Sequence, residues 1–135
     1  MTDLRNLIGS TESHILLCYQ IPNPEDWKYF KWHPLAGVDM RQVASDLYEQ
    51  WIVKQADSSH QAIFHAFPEY EEYNTRDLYS RHPDPAKPDL WSPSGRSDDI
   101  IVLGNGEKIQ PVDMEDIINS HPSIKGSLIV SVTCV

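Results

Sequence analysis

Residues 95–119 read GRSDDIIVLGNGEKIQPVDMEDIIN, and the order of signals within them decides the fold class. Asp99 to Leu103 is rich in β-branched residues, Gly104-Asn105-Gly106 carries the Asn-Gly pair favoured in tight turns, and Glu107 to Gln110 returns as a second strand. A helix is expected next. Pro111 falls in its first turn, Asp113, Glu115 and Asp116 lie where the helix dipole favours anions, and Met114, Ile117 and Ile118 form an i, i+3, i+4 apolar stripe. His121-Pro122 ends it, and Ser127 to Val135 reads as another strand, one that would need cover for its edge and faces. The expected order here is hairpin, helix, strand.

Before this stretch, Pro83, Pro85, Pro88 and Pro93 crowd into His82 to Gly95. Each proline lacks an N–H and restricts the residue before it, which excludes helix and central strand and predicts a connector. Further upstream, Ser13 to Tyr19 and Gln61 to Phe67 have the length and composition of strands. Val38 to Lys54 is ambiguous. Val43, Ala44, Leu47, Tyr48, Trp51 and Ile52 recur at helical spacing, yet Val38 to Val43 and Leu47 to Lys54 also read as two strands turning at Ala44-Ser45-Asp46.

The 135 residues carry 11 Lys and Arg against 20 Asp and Glu, a formal charge of -9, and 40% are hydrophobic by the AVILMFWYC count. Exchanging the 6 Tyr for the 6 Gly leaves that share unchanged, which is lean beside an average of about 45–50%. Such a chain has no room for two large domains. Its acidity, without a basic cluster, argues against nucleic acid as a partner, since phosphate binding needs several cations. No apolar run approaches the roughly 20 residues that span a bilayer, and Met1 to Arg5 lacks the order of a signal peptide, so a cytoplasmic protein is expected. Cys18 and Cys134 make no CxxC pair, which excludes a disulfide scaffold and a cysteine-based zinc site.

Three short segments hold candidate chemistry. Ile8-Gly9-Ser10-Thr11-Glu12-Ser13 reads as an ordinary turn, or as a hydroxyl and carboxylate facing a polyphosphate, with Glu12 on a divalent cation. Tyr73-Asn74-Thr75-Arg76-Asp77-Leu78-Tyr79 reads as a strand with a solvated aspartate, or as one whose carboxylate accepts the hydroxyls of a ribose. Gly95-Arg96-Ser97-Asp98-Asp99 reads as a surface turn with a weak local ion pair, or as a hinge between two packed units. The histidines supply no motif: His60 and His65, the closest pair, are at neither of the spacings that place two ligands on one face. No Gly-x-Ser-x-Gly elbow occurs to support a hydrolase. Trp27, Trp32, Trp51 and Trp91 read as packing residues, with Trp27 and Trp32 beside Tyr29 and Phe30 as a possible exposed aromatic patch.

Taken in order, GSTES, YNTRDLY and GRSDDIIVLGNGEKIQPVDMEDIINSHPSIKGSLIV resemble the adenylate-forming, AMP-dependent synthetase and ligase superfamily. Within it the chain most resembles the fungal nonribosomal-peptide-synthetase-like carboxylate reductases. The resemblance implies that Thr11 contacts the phosphate of the adenylate, Glu12 binds magnesium, Asp77 accepts the ribose hydroxyls, Arg96 makes a second nucleotide contact and Asp98 is the domain hinge. It also resolves Val38 to Lys54 as a β-hairpin. The implied fold is α+β: a mainly antiparallel β subdomain over residues 1–94, a piece of the distorted barrel of the large adenylation domain, then the hinge and start of the small lid domain over 95–135. Gly104 to Lys108 would belong to the lid face presented in the thioester-forming state.

The implied activity is activation of a small carboxylic acid by ATP, then transfer of the acyl group to the thiol of coenzyme A or of a phosphopantetheine-bearing carrier protein. Asn74 and Arg76 depart from the Arg and Gly of the commoner Tyr-Arg-Thr-Gly-Asp ribose motif. The family's phosphate loop would precede residue 1, and its catalytic lysine would follow Val135. A fragment, inactive alone, is therefore expected; the alternative is a stand-alone noncatalytic module that binds a nucleotide or a protein.

Overall fold

The computed structural model describes residues 6–103 and 108–130. It divides into two compact units, Met1–Ser94 and Gly95–Val135.

The first unit opens with β1 (Gly9–Ser10) and β2 (His14–Ile15), a small antiparallel hairpin in which Gly9 faces Ile15 and Ser10 faces His14. Gly9 is dictated by close approach, because a β-carbon there would overlap the His14 carbonyl oxygen. β3 (Cys18–Tyr19) pairs antiparallel with β4 (Lys31–Trp32). β5 (Val38–Ala44) and β6 (Leu47–Val53) form the long hairpin, with Asp46 in the left-handed region at φ 56. Asp is one of the few non-glycine residues that accepts this conformation readily. Residues of β6 alternate, so Gln50 and Ile52 point inward while their neighbours stay half-buried. The strand reading of Val38 to Lys54 holds against the helical periodicity.

α1 (Ala62–Ala66) overturns the strand expected at Gln61 to Phe67. A short apolar run is compatible with either a buried strand or a buried helix, and here tertiary contacts choose the helix. Ile63 and Phe64 sink into one core cluster with Leu16 and Ile52. Gln61, itself buried, accepts the Gln55 N–H at 2.8 Å and donates to the carbonyls of Val53, at 2.8 Å, and Ala36.

β7 (Glu72–Arg81) and β8 (Trp91–Arg96) complete an antiparallel sheet in the order β5-β6-β7-β8. Pro93 therefore lies within a strand, not a connector; the connector is shorter than expected, and β8 is an edge strand, where a proline is tolerated. On its outer side Trp91 exchanges backbone hydrogen bonds with Phe30, at 2.7 and 2.9 Å. Phe30, Tyr79 and Trp91 form the second core cluster, with Tyr79 packing edge-on to Trp32. Tyr29 and Phe30 are thus interior, and of the expected aromatic patch only Trp27 is well exposed. Asp26 is buried too. It takes the Lys87 ammonium at 2.7 Å and lies 3.3 Å from His82 Nε2, which ties the proline-rich connector to residues 24–26.

In the second unit β9 (Ile101–Val102) pairs antiparallel with β10 (Lys108–Ile109), as the hairpin reading expects; the Gly104 to Gly106 turn lies outside the described residues. α2 (Pro111–Asn119) starts on its proline, whose missing N–H would be unpaired there in any case. Ser127 and Ile129 fold back on α2, the Ile129 N–H donating to Glu115 Oε1 at 2.7 Å. Residues 127–130 carry no strand, and the rest of the expected final strand lies outside the described residues. The fold is α+β with antiparallel sheets, and no closed barrel forms among the described residues.

Candidate functional site

Thr11 and Glu12 occupy the exposed tip of the β1–β2 hairpin. Two serines build that tip: Ser13 is buried, its N–H donates to Ser10 Oγ at 3.1 Å, and the two hydroxyls sit 3.0 Å apart. His14 closes the turn at φ 55. The turn thus carries Thr11 and Glu12 as two consecutive exposed residues. Among the described residues no three His, Cys, Asp or Glu side chains converge as a metal cage. Glu12 is thus not part of a multi-residue cluster of that kind among the described residues.

Asp77 lies on β7 of the same unit, at an interruption of the ladder. Glu49 pairs with Leu78 but Trp51 pairs with Asn74, so β6 and β7 change register there. Arg76 sits in the left-handed region at φ 62. The commoner ribose motif has glycine at this point, where such a backbone costs nothing. Here an arginine adopts it with local help, since Asn74 Oδ1 accepts the Arg76 N–H at 2.7 Å. Thr75 Oγ1 accepts the Asp77 N–H at 3.2 Å and lies 3.0 Å from the Gln50 carbonyl, to which it donates. Beneath them Gln50 and Tyr79 are buried. Burial first, then the nearby Asp77 carboxylate, holds the Tyr79 phenol above its ordinary value, so it stays neutral.

Arg96 and Asp98 belong to the second unit and pair with each other, Nη2 to Oδ2, at 3.2 Å. Both side chains are substantially exposed, so the pair contributes little stability. Asp98 sits in a single helical turn, Ser97–Asp99, reached through Gly95. Gly95 is at φ 112, and a β-carbon on it would overlap Gln110 Nε2. Of the five candidates, then, Thr11 stands beside Glu12 and Arg96 binds Asp98, while Asp77 stands on its own strand.

The sequence reading passed over Thr75 and Gln50, and took Asn74 only as a departure from the commoner motif. Asn and Thr just before a left-handed residue are a usable signal, because both side chains cap backbone N–H groups two positions on. Gln50 carries none. Near the start of the first unit, Leu7, Ile15, Tyr19 and Trp27 are exposed around an apolar trough of about 320 Å³. Cys18, also on its wall, is a free thiol pushed up to about 11 by burial, which makes it a poor nucleophile at neutral pH.

A family model described as the AMP-binding enzyme C-terminal domain matches residues 98–133. An isocyanide synthase–NRPS hybrid of Aspergillus fumigatus is 41% identical over 92% of this chain and 7% of its own length. A carboxylic acid reductase of Neurospora crassa is 39% identical over 94% of this chain and 12% of its own. An adenylate-forming reductase of Heterobasidion annosum is 34% identical over 93% and 11%. The chain spans about a tenth of the length of the curated relatives it matches.

Proposed function

Because the chain belongs to the adenylate-forming superfamily and is similar over most of its length to fungal adenylate-forming reductases, we propose that it supplies part of the nucleotide site and the hinge of a carboxylate-activating enzyme. The observation that carries this reading is the likeness to a carboxylic acid reductase over 94% of the chain. In the proposed reaction a carboxylate oxygen attacks the α-phosphorus of ATP, the bond to the β-phosphate oxygen breaks, and pyrophosphate leaves with the electron pair. A thiol of coenzyme A or of a carrier protein then takes the acyl group and releases AMP.

Within that scheme the Thr11 hydroxyl donates to a phosphate oxygen and Asp77 accepts the two ribose hydroxyls. Arg96 adds a cationic contact to the nucleotide. Glu12 holds magnesium, which supplies neutralisation of the charge developing on the phosphates. Asp98 lies at the pivot, where a short turn after a left-handed glycine can absorb backbone rotation. The proposed assignment divides the chain into a β subdomain of the large adenylation domain, 1–94, and the hinge with the start of the lid, 95–135.

Positioning and charge stabilisation supply most of the rate in such chemistry. The 135 residues include no glycine-rich phosphate loop, so the pure chain is expected to show no ATP–pyrophosphate exchange above background. Exchange at an enzymatic rate would overturn that expectation. A second reading, a noncatalytic module that docks on another protein, is favoured by the exposed apolar side chains around the trough. Translating the flanking DNA separates the two: an in-frame phosphate loop upstream and a lysine motif downstream support the enzyme, and stop signals on both sides support the module.

A further inference from the structure

On β6 a single residue, Gln50, stands opposite three on β7, because Glu49 pairs with Leu78 and Trp51 with Asn74. Thr75, Arg76 and Asp77 therefore form a bulge, and bulges re-aim side chains that a regular ladder would fix by alternation. Two side chains hold this one. Asn74 Oδ1 takes the Arg76 N–H at 2.7 Å and stabilises the left-handed residue at the apex. Thr75 Oγ1 bridges the strands: it takes the Asp77 N–H at 3.2 Å and donates to the Gln50 carbonyl at 3.0 Å. Gln50 is fully buried, so the far end of the bridge is anchored in the core.

We propose that Asn74 and Thr75 are positioning residues for Asp77, and that recognition of a ribonucleotide over its 2′-deoxy counterpart depends on them. The inference rests on the reading of Asp77 as acceptor of the ribose hydroxyls. A regular strand through 74–78 would turn the carboxylate to a different angle. Thr75 links the Asp77 backbone to a fixed point, and Asn74 allows Arg76 the conformation that glycine would otherwise be needed for. Both side chains bond to the backbone of the bulge, so as positioning residues they act through the contacts that Asp77 makes.

The test uses the longest in-frame polypeptide carrying these residues, assayed by ATP–pyrophosphate exchange with ATP and with 2′-deoxy-ATP. Thr75→Val is expected to lower kcat/KM for ATP by about tenfold or more and that for 2′-deoxy-ATP, which offers Asp77 only its 3′-hydroxyl, by distinctly less, the difference being the size of a lost hydrogen bond to a charged group. The preference for ATP then collapses. Thr75→Ser restores it, and Asn74→Ala, which leaves the bridge intact, gives a smaller loss in the same direction. Asp77→Asn is the control for the underlying reading. If Asp77→Asn collapses the preference and both Thr75→Val and Asn74→Ala leave it unchanged, or lower both nucleotides equally, this inference is overturned and the reading of Asp77 stands. If Asp77→Asn leaves the preference intact, or the wild-type polypeptide shows no exchange, the reading fails and the inference with it.

Discussion

Asp26 carries a charge in an interior position and is matched there. Its carboxyl lies below the ordinary range, first through the hydrogen bond from Lys87 and then with help from His82, and Lys87 is held above its own ordinary value by the same contact. A depressed acid stabilises the fold above its unfolded pKa of about 4 and loses that contribution as pH falls through its folded value. The raised lysine contributes below about 10.4 and loses it as pH rises through its folded value. The difference in Tm between wild type and Asp26→Asn should therefore be flat from about pH 5 to 9 and shrink below about pH 4, which a series of thermal melts would read. Gly9 offers a steric counterpart. Gly9→Ala should lower stability by about 1–3 kcal/mol in chemical denaturation, because the hairpin must open to admit the methyl group. Gly9 was legible in the sequence as part of a turn. The clamp on Asp26 was not, since its lysine lies 61 positions away.

At the scale of elements, what was legible is what local chemistry determines. The hairpin at 101–109 and the proline-led α2 followed from turn and cap residues a few positions apart. α1 was misread because a five-residue apolar run carries no period of its own, and its helical form depends on Ile63 and Phe64 reaching a core assembled from Leu16 and Ile52. The bulge at Thr75 to Asp77 was hidden for the same reason: it exists only against Gln50, 25 positions earlier. Gln61 carries a prediction at this scale. Its amide joins β5's entry, β6's exit and α1 through three hydrogen bonds. Gln61→Leu keeps the volume but takes the partner from the Ala36 carbonyl and the Gln55 N–H, while Val53 keeps the Gln55 amide at 3.1 Å, so it should cost about 2 kcal/mol or more. Ile63→Val, a deeper but purely apolar change, should cost about 0.5–1.5 kcal/mol. Denaturant midpoints of the two variants, ranked in the opposite order, would contradict the role given to that amide.

For the whole molecule, charge is the property read most directly, because it needs no fold. At neutral pH the surplus of carboxylates gives a formal charge of -9, and the isoelectric point falls near 4.9. Near that pH repulsion between copies vanishes while the Asp26–Lys87 pair, with its depressed acid, is still made. Turbidity is therefore expected to peak near pH 4.9 with the near-ultraviolet circular dichroism unchanged, and loss of that signal before any turbidity would contradict it. What happens to copies brought together in this way depends on the rim of the main sheet. Along the outer side of β8 the backbone groups of Trp91 are already taken by Phe30, and two residues on Pro93 has no hydrogen to give. A second molecule arriving there finds no continuous row of donors and acceptors to copy, so clumping at low charge should not extend the sheet through β8, and β5 is left as its other rim.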